Sequence, residues 1–307
     1  MYRFTPRREL GSTGFQATVL GVGDVADRSV PFDTCVATVR RALDTGLNLV
    51  DTAPSYENGY SEEIVGAALH GRRDGVFVID KIDHLDRPVG AQVEESLLRL
   101  GLPHTDLFVF HAVSSLDDWH RIAAPGGRFD ELEVCVRQGK TRFRGISSHH
   151  PDVLAAAIPS ALCDVVMFPI GPHVDARYVQ EILPLARRHR VGSVCFKTFG
   201  AGKLLGDTTG YNRPLRARPR GKLGSDGTER AHVPTLPHLT VTECVRFTLT
   251  VDPDVALLGL SFPSEQDEAF AAAQVFEPLS ASELGSIERR AAAAVVDKGA
   301  CHWNPGA

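Results

Sequence analysis

The chain has 307 residues, 43% of them hydrophobic and 23% charged, with a formal net charge of −5 when histidine is neutral. That length suits two average domains or one large α/β barrel, and it buries an ample core without disulfide or metal staples. The mild acidity leaves no electrostatic footprint for nucleic acid or an anionic membrane, and no run approaches the ~20 apolar residues of a bilayer span.

The opening MYRFTPRREL lacks the apolar core of a secretory signal. RELGSTGFQAT then reads as a β-hairpin whose turn is bracketed by Gly11 and Gly14, placed to plug a barrel floor. From there, short runs of Val, Ile, Leu and Phe alternate with longer stretches of helical spacing. The predicted strands span 18–23, 47–51, 76–81, 107–111, 142–146, 165–170, 193–199 and 255–259. The predicted helices span 33–45, 61–69, 89–100, 116–138, 151–158, 177–188, 241–250 and 263–273. A further helix, 280–296, opens on an N-cap serine, Ser280.

Eight strands, each followed by a helix, predict a (β/α)8 TIM barrel with an N-terminal β-hairpin and a C-terminal helix, one domain over residues 1–307. Uniformly apolar strands suit a parallel sheet buried on both faces. A doubly wound open sheet would also alternate, but no G-x-G-x-x-G follows the first strand. Residues 200–238, rich in Gly, Pro, Arg and Thr, read as a long loop. Because it follows the seventh strand, it emerges at the C-terminal face, where barrel active sites lie. The six cysteines (Cys35, Cys135, Cys163, Cys195, Cys244 and Cys301) form no C-x-x-C pair. They read as reduced thiols of a cytoplasmic protein, with neither a zinc motif nor a disulfide framework.

The strand ends carry the chemistry. The second strand ends LNLVDTA, the third VFVIDK and the fourth LFVFH, which sets Asp51, Lys81 and His111 on one rim. Tyr56 follows Asp51 by five residues and reaches the same rim. An ammonium beside a phenol favours the phenolate, so Lys81 is expected to lower the pKa of Tyr56 while Asp51 holds Lys81 in place. His111 then orients a substrate oxygen. A proton donor beside a polarised carbonyl is what hydride reduction of an aldehyde or ketone requires.

DTAPSYENGYSEEIVG, LGSTGFQATVLGVG and GISSHH are similar to segments of the aldo-keto reductases, and the resemblance covers nearly the whole chain. It implies that Asp51, Tyr56, Lys81 and His111 are the catalytic tetrad, with Tyr56 as proton donor and NADP or NAD supplying hydride. It also places cofactor contacts at Ser147 and Ser148 after the fifth strand, Met167 on the sixth and Phe196 on the seventh. Further cofactor contacts fall at Gly200 and Gly202, then at Ser261, Glu265 and Glu268 around the eighth helix. His149 and His150 read as loop residues.

Several cofactor positions depart from the family pattern. Ser148 stands where the family has Asn, Met167 where it often has Gln, and Phe196 where a tyrosine would stack on nicotinamide. GLSFPSEQDEAF lacks the basic residue that pairs with a 2′-phosphate, which leans toward NAD unless Arg213, Arg216, Arg218, Arg220 and Lys222 of the long loop compensate. The amides opening the eighth helix remain available to phosphate oxygens. Trp119, Tyr211, Trp303, Val25, Phe168 and His302 are candidates to line a hydrophobic substrate pocket, whereas His173, Asn212 and Asn304 suit a sugar. The expected partner is therefore a small carbonyl or alcohol, with neither nucleic acid nor membrane. The alternative is a cofactor-sensing regulatory protein of the same fold, like the potassium-channel β subunits, with little or no turnover.

Overall fold

The structure is a computed structural model that describes residues 2–206, 237–260 and 263–304. Two short antiparallel strands, β1 (Arg8–Glu9) and β2 (Gln16–Ala17), form the expected hairpin. Gly11 in its turn has φ 56°, and a Cβ there would stand 2.3 Å from the backbone nitrogen of Gly192 at the start of a barrel strand. Only glycine permits both the left-handed turn and this approach. Leu10 enters the barrel interior, so the hairpin closes the floor.

Eight parallel strands follow: β3 (Leu20–Val22), β4 (Leu49–Asp51), β5 (Phe77–Ile82), β6 (Leu107–Phe110), β7 (Phe143–Ser147), β8 (Val165–Pro169), β9 (Gly192–Phe196) and β10 (Val255–Leu258). Each hydrogen-bonds to its sequence neighbours, and β10 pairs with both β9 and β3, which closes the barrel. The helices around it are α1 (Phe32–Asp44), α2 (Tyr60–Leu69), α3 (Val89–Leu100), α4 (Leu116–Ala123), α5 (Arg128–Arg137), α6 (Pro151–Ala157), α7 (Leu183–His189), α8 (Val241–Val251) and α9 (Pro263–Gln274). Helix α10 (Ala281–Ala294) follows, opened by the predicted Ser280 cap in a reciprocal capping box with Glu283.

Two helices differ from expectation. The predicted helix 116–138 is broken into α4 and α5 between Ala124 and Gly127, because Pro125 lacks a backbone donor and Gly126 takes φ 75°. The predicted helix 177–188 begins as a π-helical turn, Tyr178–Ile182, before α7. Pro184 sits in the first turn of α7 and has no N–H to return to the preceding turn. The segment after β9 starts as a 3₁₀ turn, Gly200–Leu205, and residues 207–236 lie outside the described part of the chain.

Strand side chains alternate between two cores. Leu49, Phe77, Ile79, Leu107, Val109, Val165, Met167 and Val194 fill the barrel interior. Val50, Val78, Phe108, Phe110, Ile146, Val166, Phe168 and Cys195 face the helices. All six cysteines are free thiols and five are buried. Among the described residues no helix is long and apolar enough to cross a membrane.

Candidate active site

The same alternation positions the rim. On β4, Leu49 is interior and Val50 faces outward, so Asp51 points in. On β5, Phe77 and Ile79 are interior, and Lys81 takes the next inward place. His111 continues the inward series of Leu107 and Val109 just beyond β6. Asp51 pairs in register with Ile79, and Lys81 with Val109, so the two charged residues stand one strand apart. The Lys81 ammonium donates to Asp51 Oδ1 at 2.6 Å and to the Thr52 carbonyl at 2.6 Å. Asp51 is 3% exposed and Lys81 2%, so this is a desolvated ion pair.

Tyr56 arrives on the connection from β4 to α2. Glu57, Asn58 and Gly59 have φ of 52°, 53° and 82°, three successive left-handed residues that asparagine and glycine tolerate best. Backbone bonds from Gly59 N to Pro54 O (2.8 Å) and Ser61 N to Tyr56 O (3.3 Å) fold this turn back on itself, and Thr52 Oγ1 donates to Ser61 Oγ at 2.8 Å. The turn lays the half-buried phenol over the rim. Lys81 Nζ lies 4.4 Å from the Tyr56 ring centroid, and the His111 ring meets Tyr56 edge-on with centroids 5.6 Å apart. The structure thus brings together all four residues singled out by strand position.

Electrostatics depart from expectation at one of them. Burial pushes the Tyr56 hydroxyl above its ordinary pKa, and the opposing pull of Lys81 has the predicted sign but is outweighed. Burial likewise holds the Asp51 carboxyl above the usual carboxylate range, with Lys81 pulling it back. For Lys81 burial favours the neutral amine, yet Asp51 and then Tyr56 more than offset it, and the ammonium is stabilised. His111 is lowered, first by burial. The resting site therefore holds its proton on the phenol and its positive charge on the lysine.

Around the rim toward β9, the expected cofactor residues take different positions. Ser147 Oγ accepts from Ala112 N at 2.9 Å. Ser148 Oγ is committed to the backbone, donating to Val113 O at 2.7 Å and accepting from His150 N at 3.0 Å. Met167 is fully buried in the barrel interior, beneath the mouth. Phe196 is half-buried at the end of β9, packed edge-on against His149 with centroids 5.3 Å apart. Gly200 and Gly202 both take left-handed φ in the 3₁₀ turn, and Glu268 is exposed on α9. Ser261 and the Glu265 side chain lie outside the described residues. Arg41 of α1 reaches the first turns of α9, where it pairs with Asp267 and meets Gln266 Oε1 at 3.2 Å.

The C-terminal tail lies beside this part of the rim. Trp303 is fully buried, donates to His173 O at 2.9 Å, and has the Lys203 and Lys197 ammonium groups 5.4 and 5.6 Å from its ring. Lys203 donates to the carbonyls of Gly299 and Ala300, and Lys298 donates to those of Lys203 and Pro237. His302 is exposed over His149, with centroids 5.4 Å apart.

Three of the proposed lining residues belong elsewhere. Phe168 stacks on Tyr178 behind β8, Trp119 packs on Phe129 in the helical layer, and Val25 is buried in the core around α1. Tyr211, Asn212, Arg213, Arg216, Arg218, Arg220 and Lys222 lie outside the described residues. Asp83 was missed. It follows Lys81 by two positions, pairs with His111 Nδ1, and accepts from Ser55 N at 2.6 Å. Lys197, with φ 73° at the end of β9, was missed as well.

The profile of the Aldo/keto reductase family matches residues 18–289. The aldo-keto reductase YhdN of Bacillus subtilis is 28% identical over 218 residues, a stretch that spans 65% of this chain and 64% of that relative. L-galactose dehydrogenase of Arabidopsis thaliana is 27% identical over 303 residues, 92% of each chain. The crystal structure of an aldo-keto reductase from Klebsiella pneumoniae in complex with NADPH superposes with a TM-score of 0.66 at 22% identity. That superposition covers 94% of this chain and 95% of that one.

Proposed function

The chain belongs to the aldo/keto reductase family of oxidoreductases, and from that premise we propose that it reduces a small aldehyde or ketone with NADP or NAD, or oxidises the corresponding alcohol. The observation that carries this reading is the convergence of Asp51, Tyr56, Lys81 and His111 on one rim. There the ammonium sits 2.6 Å from the Asp51 carboxylate and 4.4 Å from the phenol ring centroid. Tyr56 gives its proton to the carbonyl oxygen, and Lys81 stabilises the phenolate left behind. Asp51 keeps Lys81 charged and aimed, and His111 hydrogen-bonds the substrate oxygen. A bound nicotinamide supplies the hydride.

The residues of the rim suit such a cofactor in part. Phe196 offers a ring face for stacking, and the Ser147 hydroxyl remains placed to donate to a carboxamide. The Lys197 ammonium lies 5.9 Å from the Phe196 ring and puts a positive charge beside it, whereas Gly200 and Gly202 are buried and a Cβ at Gly200 would meet Leu204 and Trp303. Of the three residues expected at the adenosine end, Glu268 is exposed on α9, and an acidic group there suits a free ribose hydroxyl better than a phosphate. Names among the relatives, a sugar dehydrogenase and an NADPH-bound reductase, support a nicotinamide-linked reaction on a small polar carbonyl or alcohol.

One observation favours a second reading. Ser148 is spent on the backbone and Met167 is apolar, which weakens the grip on the carboxamide and suits a slow cofactor sensor. Fluorescence titration of the protein with NADPH and NADH separately, followed by turnover on a panel of aldehydes, ketones and alcohols, tests both. Tight binding with turnover supports the enzyme, tight binding without turnover supports the sensor, and binding of neither cofactor overturns both.

A further inference from the structure

Asp83 stands between two parts of the rim that come from different connections. One carboxylate oxygen meets His111 Nδ1, and the other accepts from Ser55 N at 2.6 Å, one residue before Tyr56. Its side chain is 11% exposed and that of His111 18%, so little water competes for either bond. Burial alone would raise the Asp83 carboxyl, yet the bonds from His111 and Ser55 leave it below its ordinary range. It is a carboxylate at neutral pH, and a carboxylate only accepts. The proton of the neutral His111 ring is therefore assigned to Nδ1 by its partner, and Nε2 is left with a lone pair.

The geometry points to Asp83 as a positioning residue that locks His111 in the Nδ1–H tautomer, so that the resting site accepts a hydrogen bond from an alcohol in preference to donating one to a carbonyl. This rests on the proposed oxidoreductase reading and deepens it. An Nε2 lone pair receives the O–H of an alcohol but faces the lone pairs of a carbonyl oxygen. A carbonyl is held well only once Nε2 is protonated. The groups that set that protonation, among the described residues, are Asp83 and Lys81 from β5 and its extension, Asp51 from β4, the Tyr56 phenol, and His149 after β7. Burial and Lys81 oppose the imidazolium, while Asp83 and Asp51 favour it. His149 adds no charge, since burial pushes its pKa down to about 2.

Asp83→Asn is the discriminating change. If the asparagine carbonyl keeps the Ser55 N–H, its amide must face His111 and donate to Nδ1, which moves the ring proton to Nε2. Nitrogen-15 spectra of histidine-labelled protein, assigned against a His111→Ala sample, read the tautomer directly and without cofactor. The expected result is a protonated Nδ1 in the parent and a protonated Nε2 in Asp83→Asn. Steady-state kinetics should then show the carbonyl KM falling and the alcohol KM rising, each by roughly threefold to tenfold for one hydrogen bond gained or lost, with a smaller change in kcat. A parent protein with its His111 proton on Nε2 overturns the inference. So do equal KM shifts for alcohol and carbonyl in Asp83→Asn. The expected tautomers in a protein that turns over neither substrate would uphold the lock and refute the oxidoreductase reading instead.

Discussion

Replacing Asp51 by asparagine removes one charge from the rim and almost no volume. The amide oxygen still accepts from Lys81, and the Thr52 carbonyl, 2.6 Å from the ammonium, is untouched. What disappears is the counter-charge of a lysine only 2% exposed. Stranding one member of a buried pair costs about 3–5 kcal/mol. With roughly 2 cal/mol/K of unfolding entropy per residue, that cost corresponds to a fall in Tm of about 5–8 °C. The pH dependence gives the sharper signature. In the parent, Asp51 holds the folded pKa of Lys81 above its unfolded value, so this contribution is present below about pH 10.5 and fades as pH rises beyond it. In Asp51→Asn the larger opposition to burial is gone, burial outweighs the remaining pull of Tyr56, and the folded pKa drops below the unfolded one. The variant then recovers stability as pH climbs toward 10.5. Thermal denaturation of both proteins from pH 6 to pH 10 measures the difference. A deficit that stays constant across that range would refute the ion-pair argument.

Tyr56→Phe keeps the ring that packs on His111 and loses only the acid. Carbonyl reduction should fall at least a hundredfold while cofactor titrations stay within a factor of two, and unchanged turnover would remove Tyr56 from the chemistry. Trp303→Ala deletes a fully buried indole and its bond to His173, at a cost of about 3–5 kcal/mol. Limited proteolysis should then cut within the tail, and a variant as stable and as resistant as the parent would show that the tail docks without it. Lys81→Met removes the main opposition to burial at the Asp51 carboxyl and leaves only the weaker pull of His111, which raises it further. Relative to the parent, this variant should lose stability as pH rises through the carboxylate range, and a difference flat between pH 4 and pH 8 would contradict that.

The rim was legible in the sequence because strand periodicity is a strict two. Once Leu49 and Phe77 face inward, Asp51 and Lys81 must as well, and closure of the barrel does the rest. The same parity assigns Phe168 to the outer layer, since Met167 beside it points in; it was available and passed over in naming Phe168 a pocket residue. The break between α4 and α5 also lay in view, in Pro125, Gly126 and Gly127, but apolar spacing that continues across a break hides it. Asp83 is a different kind of omission. Its meaning depends on His111, 28 residues away and one strand over, and no local pattern records that meeting. The protonation of Tyr56 is less legible still, because how much burial outweighs a nearby ammonium depends on every group that closes over the mouth.

The chain has six lysines, and Lys81, Lys203 and Lys298 are each no more than 3% exposed. Their ammonium groups are clasped by a carboxylate or by carbonyl oxygens, so none presents a lone pair to an electrophile. Among the described residues, acylating reagents therefore encounter few accessible amines, those of Lys140 and Lys197, and arginine carries most of the positive charge. Modification of Lys203 and Lys298 requires the tail to leave its seat, and modification of Lys81 requires the rim to open. Timed acylation, read peptide by peptide, thus serves as a clock for two separate local openings in one untagged molecule.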